Sequence, residues 1–205
     1  MKISRLICPL PLLGGALAIL VLAGCASQHF YANYKLDPKP PRLAYSDLAP
    51  AANPRPVYLV FDMYTAEGSL PEATRKNGAQ VFRVLEGSGL FSSVSKVGSE
   101  NIARIQVAMR ETAVLGGHET KSMPAGLSTG LTGSRGAIVY SFTATYQAPG
   151  QEAVKKVYPH AVHVAENGST SFGDVFPMTA PHAIESMIQQ VMLNFLRDLQ
   201  KEKKL

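Results

Sequence analysis

The pattern of apolar and polar positions in the last three quarters of the chain predicts five strands. The first is a short apolar, β-branched run of the kind found in buried strands. In the third and fourth, apolar and polar side chains alternate, which is typical of a sheet with one buried and one solvated face. The fifth contains Pro159, which indicates an edge position or a bulge because proline has no N–H to donate. The five runs span residues 57–63, 90–97, 103–112, 137–147 and 152–164.

Two segments have the three- and four-residue spacing of amphipathic helices. The first opens at Ser69, which with Glu72 matches a capping box, and it ends before Gly87. The second follows Thr179, a candidate N-cap, and its polar side includes Gln189. Its apolar side is made of Ile184, Ile188, Val191, Phe195 and Leu199.

In chain order these elements are β-α-β-β-β-β-α. Because most connections are short and each helix has one apolar side, we expect a mostly antiparallel sheet of four or five strands with both helices on one face. The predicted fold class is α/β, specifically an α+β two-layer sandwich. Residues 57–205 suit a single domain of this kind.

The N-terminus has the three-part organisation of an export signal. Two positive residues, Lys2 and Arg5, precede an uncharged apolar run from Leu6 to Ala23 that ends in small residues. The alternative is a transmembrane anchor, since the run approaches the roughly 20 residues that span a bilayer. Prolines and glycines shorten its continuous helical part, and they favour the export signal.

The motif Leu22-Ala23-Gly24-Cys25 resembles the lipobox of bacterial lipoproteins. The resemblance implies a signal peptide over residues 1–24, cleavage between Gly24 and Cys25, and attachment of diacylglycerol and palmitate-type chains to Cys25. Several acyl chains make such an anchor effectively permanent. Ala26 follows the cysteine, which in the lipoproteins of two-membrane bacteria favours the outer membrane and a domain facing the periplasm. Inner-membrane and surface-exposed placements are the alternatives.

Residues 25–56 are predicted to form the lipidated N-terminus and a proline-rich tether. Six prolines lie between residues 36 and 56, and such segments favour extended conformations. At about 3.1 Å per residue, residues 26–56 would reach on the order of 90 Å from the membrane. For the aromatic stretch 29–34, we expect docking on the domain or disorder before contact with the membrane surface.

Cysteine content and charge narrow the function classes. The chain has two cysteines, and Cys8 leaves with the leader, so the mature chain has no thiol pair for a disulfide. Removal of Lys2 and Arg5 lowers the 20 basic residues to 18 against 15 acidic ones, a net charge of +3. These charges are spread along the chain rather than in a stripe, so nucleic acid is not an expected partner.

Two stretches resemble a phosphate-binding loop and a zinc-protease motif, but the spacing of their residues does not match either motif. Residues 116–122 lack the glycines of a phosphate-binding loop, in which Gly stands directly before Lys. His118 and Glu119 begin a zinc-protease-like string, but Ser122 stands where the second histidine is needed. Neither stretch predicts a cofactor or metal site.

The remaining titratable residues do not form a convincing catalytic set either. His160 and His163 are three residues apart on a predicted strand, so they point to opposite faces and cannot readily share a metal. Asp62 near a strand end and Glu67 in the next loop are candidate paired carboxylates, but solvated and turn-forming roles explain them more simply. We therefore predict no catalytic residues, no metal and no cofactor, and hence no enzymatic activity.

The most unusual stretch is the glycine-rich segment 114–136. A flexible strand connection is its simplest interpretation, although a long loop in a compact domain is often functional. The sharper hypothesis is a loop that contacts a partner or forms an oligomer. A membrane-inserting hairpin is poorly supported, because the segment lacks the alternation of membrane strands. The candidate partner-loop residues are Gly116, Gly117, Gly126, Gly130 and Gly133.

Beyond the lipobox, the chain resembles a broad group of small envelope lipoproteins. The likeness lies in residues 57–112, including the Gly89-Leu90-Phe91 step after the first helix, and in the final amphipathic helix. The group includes the curli-secretion lipoprotein and the activators of penicillin-binding proteins, and its shared domain is similar to the N-terminal domain of the Tol-system propeller protein. The resemblance implies an assembly or partner-binding module, and it transfers no functional residue.

These observations lead to two function hypotheses. The first is a membrane-anchored envelope lipoprotein whose periplasmic domain is a non-enzymatic module for an envelope protein partner or for self-assembly. The alternative is an auxiliary lipoprotein of a transport system, which binds lipid or another apolar ligand between its helices and sheet. Both hypotheses depend on the N-terminal lipid for membrane attachment.

Replacing Cys25 with serine removes the thiol that accepts the diacylglycerol, so we expect Cys25→Ser to abolish lipidation and acyl-chain anchoring. Metabolic labelling with a fatty acid should tag the wild-type protein and not the variant. Equal labelling of both proteins would contradict the lipobox interpretation.

Overall fold

The computed structural model describes residues 28–33, 42–116, 136–166 and 178–205. Within these ranges the predicted order β-α-β-β-β-β-α is confirmed, with one further strand before it. The elements are β1 (Gln28–Asn33), β2 (Arg55–Tyr64), α1 (Pro71–Gly87), β3 (Phe91–Ser95), β4 (Ala103–Gly116), β5 (Gly136–Gln147), β6 (Val154–Glu166) and α2 (Ala180–Lys201).

The strands form one mixed sheet in the order β1-β6-β5-β4-β2-β3. Strand β2 runs parallel to both of its neighbours, β3 and β4, and the other three pairs are antiparallel. Parallel neighbours require a crossover connection, and α1 supplies it between β2 and β3. The predicted α+β class is therefore confirmed. The sixth strand, β1, comes from the segment that was predicted to be a tether.

Alternation along the strands decides which face of the sheet is covered. Phe61 of β2 and Val107 of β4 are paired in register and buried, at 8% and 0% exposure. Their sequence neighbours Val60 and Gln106 face the other way and are half-buried. Both helices pack on the side of Phe61 and Val107, as predicted, because that side carries the continuous apolar surface.

The start of α1 differs from the predicted capping box. Its N-cap is Leu70, which makes no side-chain cap hydrogen bond, and Pro71 occupies the first helical position. Proline is suited to that position because it has no N–H that needs a partner. Ser69 instead forms an isolated bridge with Tyr64. The capping-box prediction for Ser69 and Glu72 is therefore wrong.

Helix α2 is the most deeply buried element of the fold. Met187, Leu193 and Phe195 are each 0% exposed, which confirms the prediction that Phe195 faces the core. Thr179 is the N-cap, as predicted, although its side chain makes no cap hydrogen bond. Leu193 lies outside the predicted apolar stripe, so the buried surface of α2 is wider than one face against the sheet.

Residues 42–49, which we call the N-terminal strap, cover a further side of α2. Leu43 and Leu48 belong to the hydrophobic core and are 7% and 8% exposed. A short 3-10 turn, Tyr45–Asp47, lies between them. The strap therefore contributes apolar side chains to the same core as the sheet and helices.

Two glutamines of α2 hold the strap through its backbone. The Gln190 side chain accepts a hydrogen bond from the Leu43 N–H and donates one to the Leu43 carbonyl, both at 2.9 Å. Gln200 makes the same reciprocal pair with Ala49. Each glutamine thus satisfies both the N–H and the carbonyl of one strap residue. In a sheet, a neighbouring strand would satisfy these two groups.

The prediction of an extended tether over residues 25–56 is corrected by these contacts. Strand β1 pairs with β6 over six residues, and the strap packs on α2, so most of the described part of this segment belongs to the domain. The composition suggested extension because prolines are frequent, but the leucines among them supply enough apolar surface to bury. Docking, one of the expectations for residues 29–34, is what the structure shows for residues 28–33.

The register of β1 also accounts for Pro159 in β6. Strand β1 pairs with β6 only from Ala161 to Glu166. Pro159 precedes that range and is paired with Ser141 of β5 alone among the described strands. The missing proline N–H therefore lies where β6 is a sheet edge, as predicted.

We expect Gln190→Ala to lower the free energy of unfolding by about 1–2 kcal/mol, because it removes two partly buried hydrogen bonds to the strap. Gln189→Ala, one position earlier in α2, is the matched control and should change stability by less than about 0.5 kcal/mol. Denaturant unfolding of the leader-free protein measures both. Equal losses in the two variants would contradict the assigned role of Gln190.

Candidate partner groove beside helix α1

An open groove with a volume of about 920 Å³ runs beside α1 and reaches the first turns of α2. First-turn residues of both helices line it, among them Glu72 of α1 and Pro181 of α2. The groove is lined by Met63, Glu72, Ala73, Arg75, Lys76, Asn77, Ala79, Gln80, Arg83, Lys96, Tyr140, Ala180, Pro181, Ile184 and Glu185.

The floor of the groove is apolar and held in place by polar residues of α1. Met63 and Tyr140 are 6% and 4% exposed. The Met63 N–H donates to the Thr74 hydroxyl at 2.9 Å, and the Asn77 side-chain amide contacts the Met63 sulfur at 3.2 Å. These contacts fix the end of β2 against α1, so the floor is preformed.

The rim of the groove has a net positive charge. Four basic residues, Arg75, Lys76, Arg83 and Lys96, line it with only two carboxylates. Arg83 lies 4.0 Å from one of these, Glu185, in a pair with side-chain exposures of 64% and 42%. Such exposed ion pairs contribute little interaction free energy. The basic rim therefore still attracts an acidic ligand.

A second cation of the rim is positioned by an aromatic ring. The Lys96 ammonium lies 5.6 Å from the ring centre of Phe82, which is a cation–π geometry. Lys96 follows β3, whereas Phe82 belongs to α1, so the contact joins two different elements. The positive rim is therefore built by tertiary packing as well as by the α1 sequence.

Tyr140 of the floor has Glu111 as its cross-strand neighbour. They are directly opposite each other in the register of β4 and β5. Burial raises the pKa of Glu111, and the charge of Glu67 raises it further. Burial also raises the pKa of Tyr140, with a smaller contribution from Glu111. Tyr140 therefore keeps its proton at neutral pH and presents a hydrogen-bond donor.

Sequence reasoning missed Glu111, although a signal for it exists. In the alternating strand Ile105, Val107 and Met109 occupy the helix-facing positions, and Glu111 is the next residue of the same parity. A carboxylate at a helix-facing position is unusual, because burial disfavours its charged form. Glu111 therefore stands out in this strand as a half-buried carboxylate.

The two histidines singled out in the sequence lie on opposite faces of β6, as predicted. His160 is opposite Tyr140 and His163 is opposite Ala137, and each histidine is 1% exposed. Burial lowers the pKa of His160 to about 3, with a small contribution from His163, despite contact with the Ala161 carbonyl. His160 is therefore neutral at physiological pH.

The other singled-out residues do not form a cluster in the described structure. Asp62 lies on the β2 face turned away from the helices, whereas Glu67 lies in the turn before α1. The Glu67 N–H donates to the Thr65 hydroxyl at 3.2 Å. A hydrogen bond from the Thr65 side chain to the Glu67 carboxylate lowers the pKa of Glu67. Within the described ranges, no three metal-ligating side chains converge.

Most of the predicted lipid-site and loop residues lie outside the described ranges. Gly116 is the exception, since it is the last residue of β4 and pairs with Gly136. In the ranges that the structure covers, no helix has the length and apolar character needed to cross a membrane. The residues outside these ranges are Gly24, Cys25, Gly117, Gly126, Gly130 and Gly133.

Comparison with known proteins gives distant structural likeness only. No family model matches the chain, and no curated protein matches it. Rare lipoprotein B from Shewanella oneidensis is 10% identical with a TM-score of 0.37, covering 71% of this chain and 96% of that one. A minor lipoprotein from Acinetobacter baumannii is 9% identical with a TM-score of 0.39, covering 73% and 94%.

A third solved structure is the PelC dodecamer from Paraburkholderia phytofirmans. It is 14% identical with a TM-score of 0.34, covering 82% of this chain and 97% of that one. At these values the likeness assigns the chain to none of the three proteins' families.

The buried His160 predicts a specific loss of stability in acid. The unfolded chain binds a proton at this histidine near pH 6.5, whereas the folded chain does so only near pH 3. Stability should therefore fall as pH drops below about 6.5, by up to about 1.4 kcal/mol per pH unit from this residue.

Denaturant unfolding at pH 7, 6 and 5 measures this slope. His160→Gln should have a shallower slope than the wild type, whereas His182→Gln, at an exposed position in the first turn of α2, should retain the full slope. If His160→Gln keeps the wild-type dependence of unfolding free energy on pH, His160 is not the source of the acid-induced loss of stability.

Proposed function

We propose that this protein is an envelope lipoprotein whose domain is a non-enzymatic module that binds an acidic segment of a partner protein in the α1 groove. The observation that carries the proposal is the groove itself, with its preformed apolar floor and four-cation rim. An apolar floor supplies buried area, and surrounding charges supply orientation and specificity. Anchoring through Cys25 in the outer membrane, with the domain in the periplasm, completes the proposal.

A partner protein fits this groove better than an enclosed small ligand does. Small-molecule sites bury most of their ligand's surface, whereas the rim residue Arg83 is largely exposed. The alternative ligand site, between the helices and the sheet, is occupied by the protein's own side chains. Ile105, Phe142 and Met192 fill that layer and are each 0% exposed. The packing therefore favours partner binding over an apolar ligand held in the core.

The absence of enzymatic activity is part of the same proposal. A general base must reach solvent or substrate, but His160 and His163 are both buried and lie on opposite faces. Tyr140 of the groove floor remains protonated, and its cross-strand neighbour Glu111 has a raised pKa because of burial and the charge of Glu67. This set offers recognition by hydrogen bonds, which a binding module uses.

A photo-crosslinking residue placed at Lys76 tests the groove directly in cells. We expect a crosslinked product at this position, and the double variant Arg75→Glu, Arg83→Glu should reduce its yield by about tenfold, which corresponds to about 1.4 kcal/mol. The control is the same crosslinker at Lys155, which is exposed on the face of β6 turned away from the helices. Lys155→Glu should leave the Lys76 product unchanged.

Mass spectrometry of the product separates the outcomes. A product with twice the chain mass would identify self-assembly, the form of partner binding in which the acidic segment comes from a second copy. Equal crosslinking at Lys76 and Lys155, in variants whose thermal melting matches the wild type, would contradict the groove as the binding site. No product at Lys76 would contradict it as well.

A further inference from the structure

The position of the chain's N-terminus in the sheet determines which end of the domain approaches the membrane. Strand β1 begins at Gln28, which pairs with Glu166, the last residue of β6. Only Ala26 and Ser27 separate Gln28 from Cys25. Three residue steps span at most about 10 Å, even when fully extended. The acylated residue and the Gln28 end of the sheet therefore cannot lie farther apart than that.

The pairing of β1 makes this short connection effective. Six consecutive residue pairs, from Gln28 with Glu166 to Asn33 with Ala161, join β1 to β6. After β1 and the connection that follows it, the strap is held on α2 by Gln190 and Gln200. The N-terminal segment is thus attached at two places before the first core strand, β2, begins.

The register also gives the distance from this end of the sheet to the groove floor. Tyr140 is opposite His160, six residues from Glu166 along β6. Met63 is level with Met109, Phe142 and Tyr158, eight residues from Glu166. At about 3.3 Å per residue, the floor therefore lies about 20–26 Å from the Gln28 end.

We propose that the end of the sheet formed by Gln28 and Glu166 faces the membrane. The domain contacts the lipid head groups through this end, and its groove lies within about 36 Å of them. This inference rests on the lipid anchor of the proposed function. It replaces the 90 Å reach that the proline-rich sequence suggested with a fixed, short distance. The partner is accordingly met in the layer next to the membrane.

Three single-cysteine variants of the full mature lipidated protein measure the orientation. Glu166→Cys marks the near end, Thr112→Cys is about 17 Å farther along the strands, and Gln151→Cys marks the β5–β6 turn at the far end. Cys8 is lost with the leader and Cys25 is acylated, so the introduced thiol takes a fluorescent label selectively. The proteins are reconstituted into phosphatidylethanolamine–phosphatidylglycerol vesicles with head-group quencher lipids.

We expect strong quenching at residue 166, weaker quenching at residue 112 and little at residue 151. Insertion of 20 glycine and serine residues between Ser27 and Gln28 should remove this gradient, since such a linker has a mean span of about 25 Å. Thermal melting identifies any variant that fails to fold, and the remaining two positions still define the gradient.

Intact mass separates the two ways of failing. Equal quenching at all positions, in a protein whose mass includes acyl chains, would overturn the proposed orientation but would still support the lipid anchor. A mass without acyl chains would overturn the anchor, and the orientation with it.

Discussion

The burial of α2 is the constraint on which the rest of the structure depends. Ten of its 22 residues are buried, and they point in more directions than a single sheet can cover. The sheet covers one side, α1 a second and the N-terminal strap a third. Two half-buried glutamines of α2, Gln190 and Gln200, bind backbone atoms of the strap and hold it against the helix. The strap is therefore part of the core.

The N-terminal segment from Gln28 onward is also held against the rest of the domain. A flexible tether would let the domain sample a large volume around its anchor, with a low effective concentration near any one partner. Pairing of β1 with β6 instead holds the chain at a defined edge of the sheet, and the strap holds it on α2. These contacts therefore limit where the groove lies relative to the start of β1.

The groove draws its residues from elements that are far apart in sequence. Arg75 and Lys76 belong to α1, Lys96 follows β3, and Tyr140 belongs to β5. Each has an ordinary appearance in its own segment: charges on an exposed helix side, a lysine after an edge strand, an aromatic residue in an alternating strand. Only packing makes them one surface. The resulting site offers charge and hydrogen bonding around an apolar floor, which suits recognition of a protein segment.

Local periodicity determined the elements of this protein and the burial of Phe195, because the spacing of apolar residues is a property of each segment alone. The predicted single-face packing of the helices followed from the same patterns. Tertiary structure alone decided that residues 28–33 form a strand, that Leu43 and Leu48 enter the core, and that α1 begins without its predicted cap. The first two outcomes depend on partners more than 100 residues away, such as Glu166 for Gln28 and Gln190 for Leu43, which no local pattern specifies. The third accompanies the bridge that Ser69 forms with Tyr64.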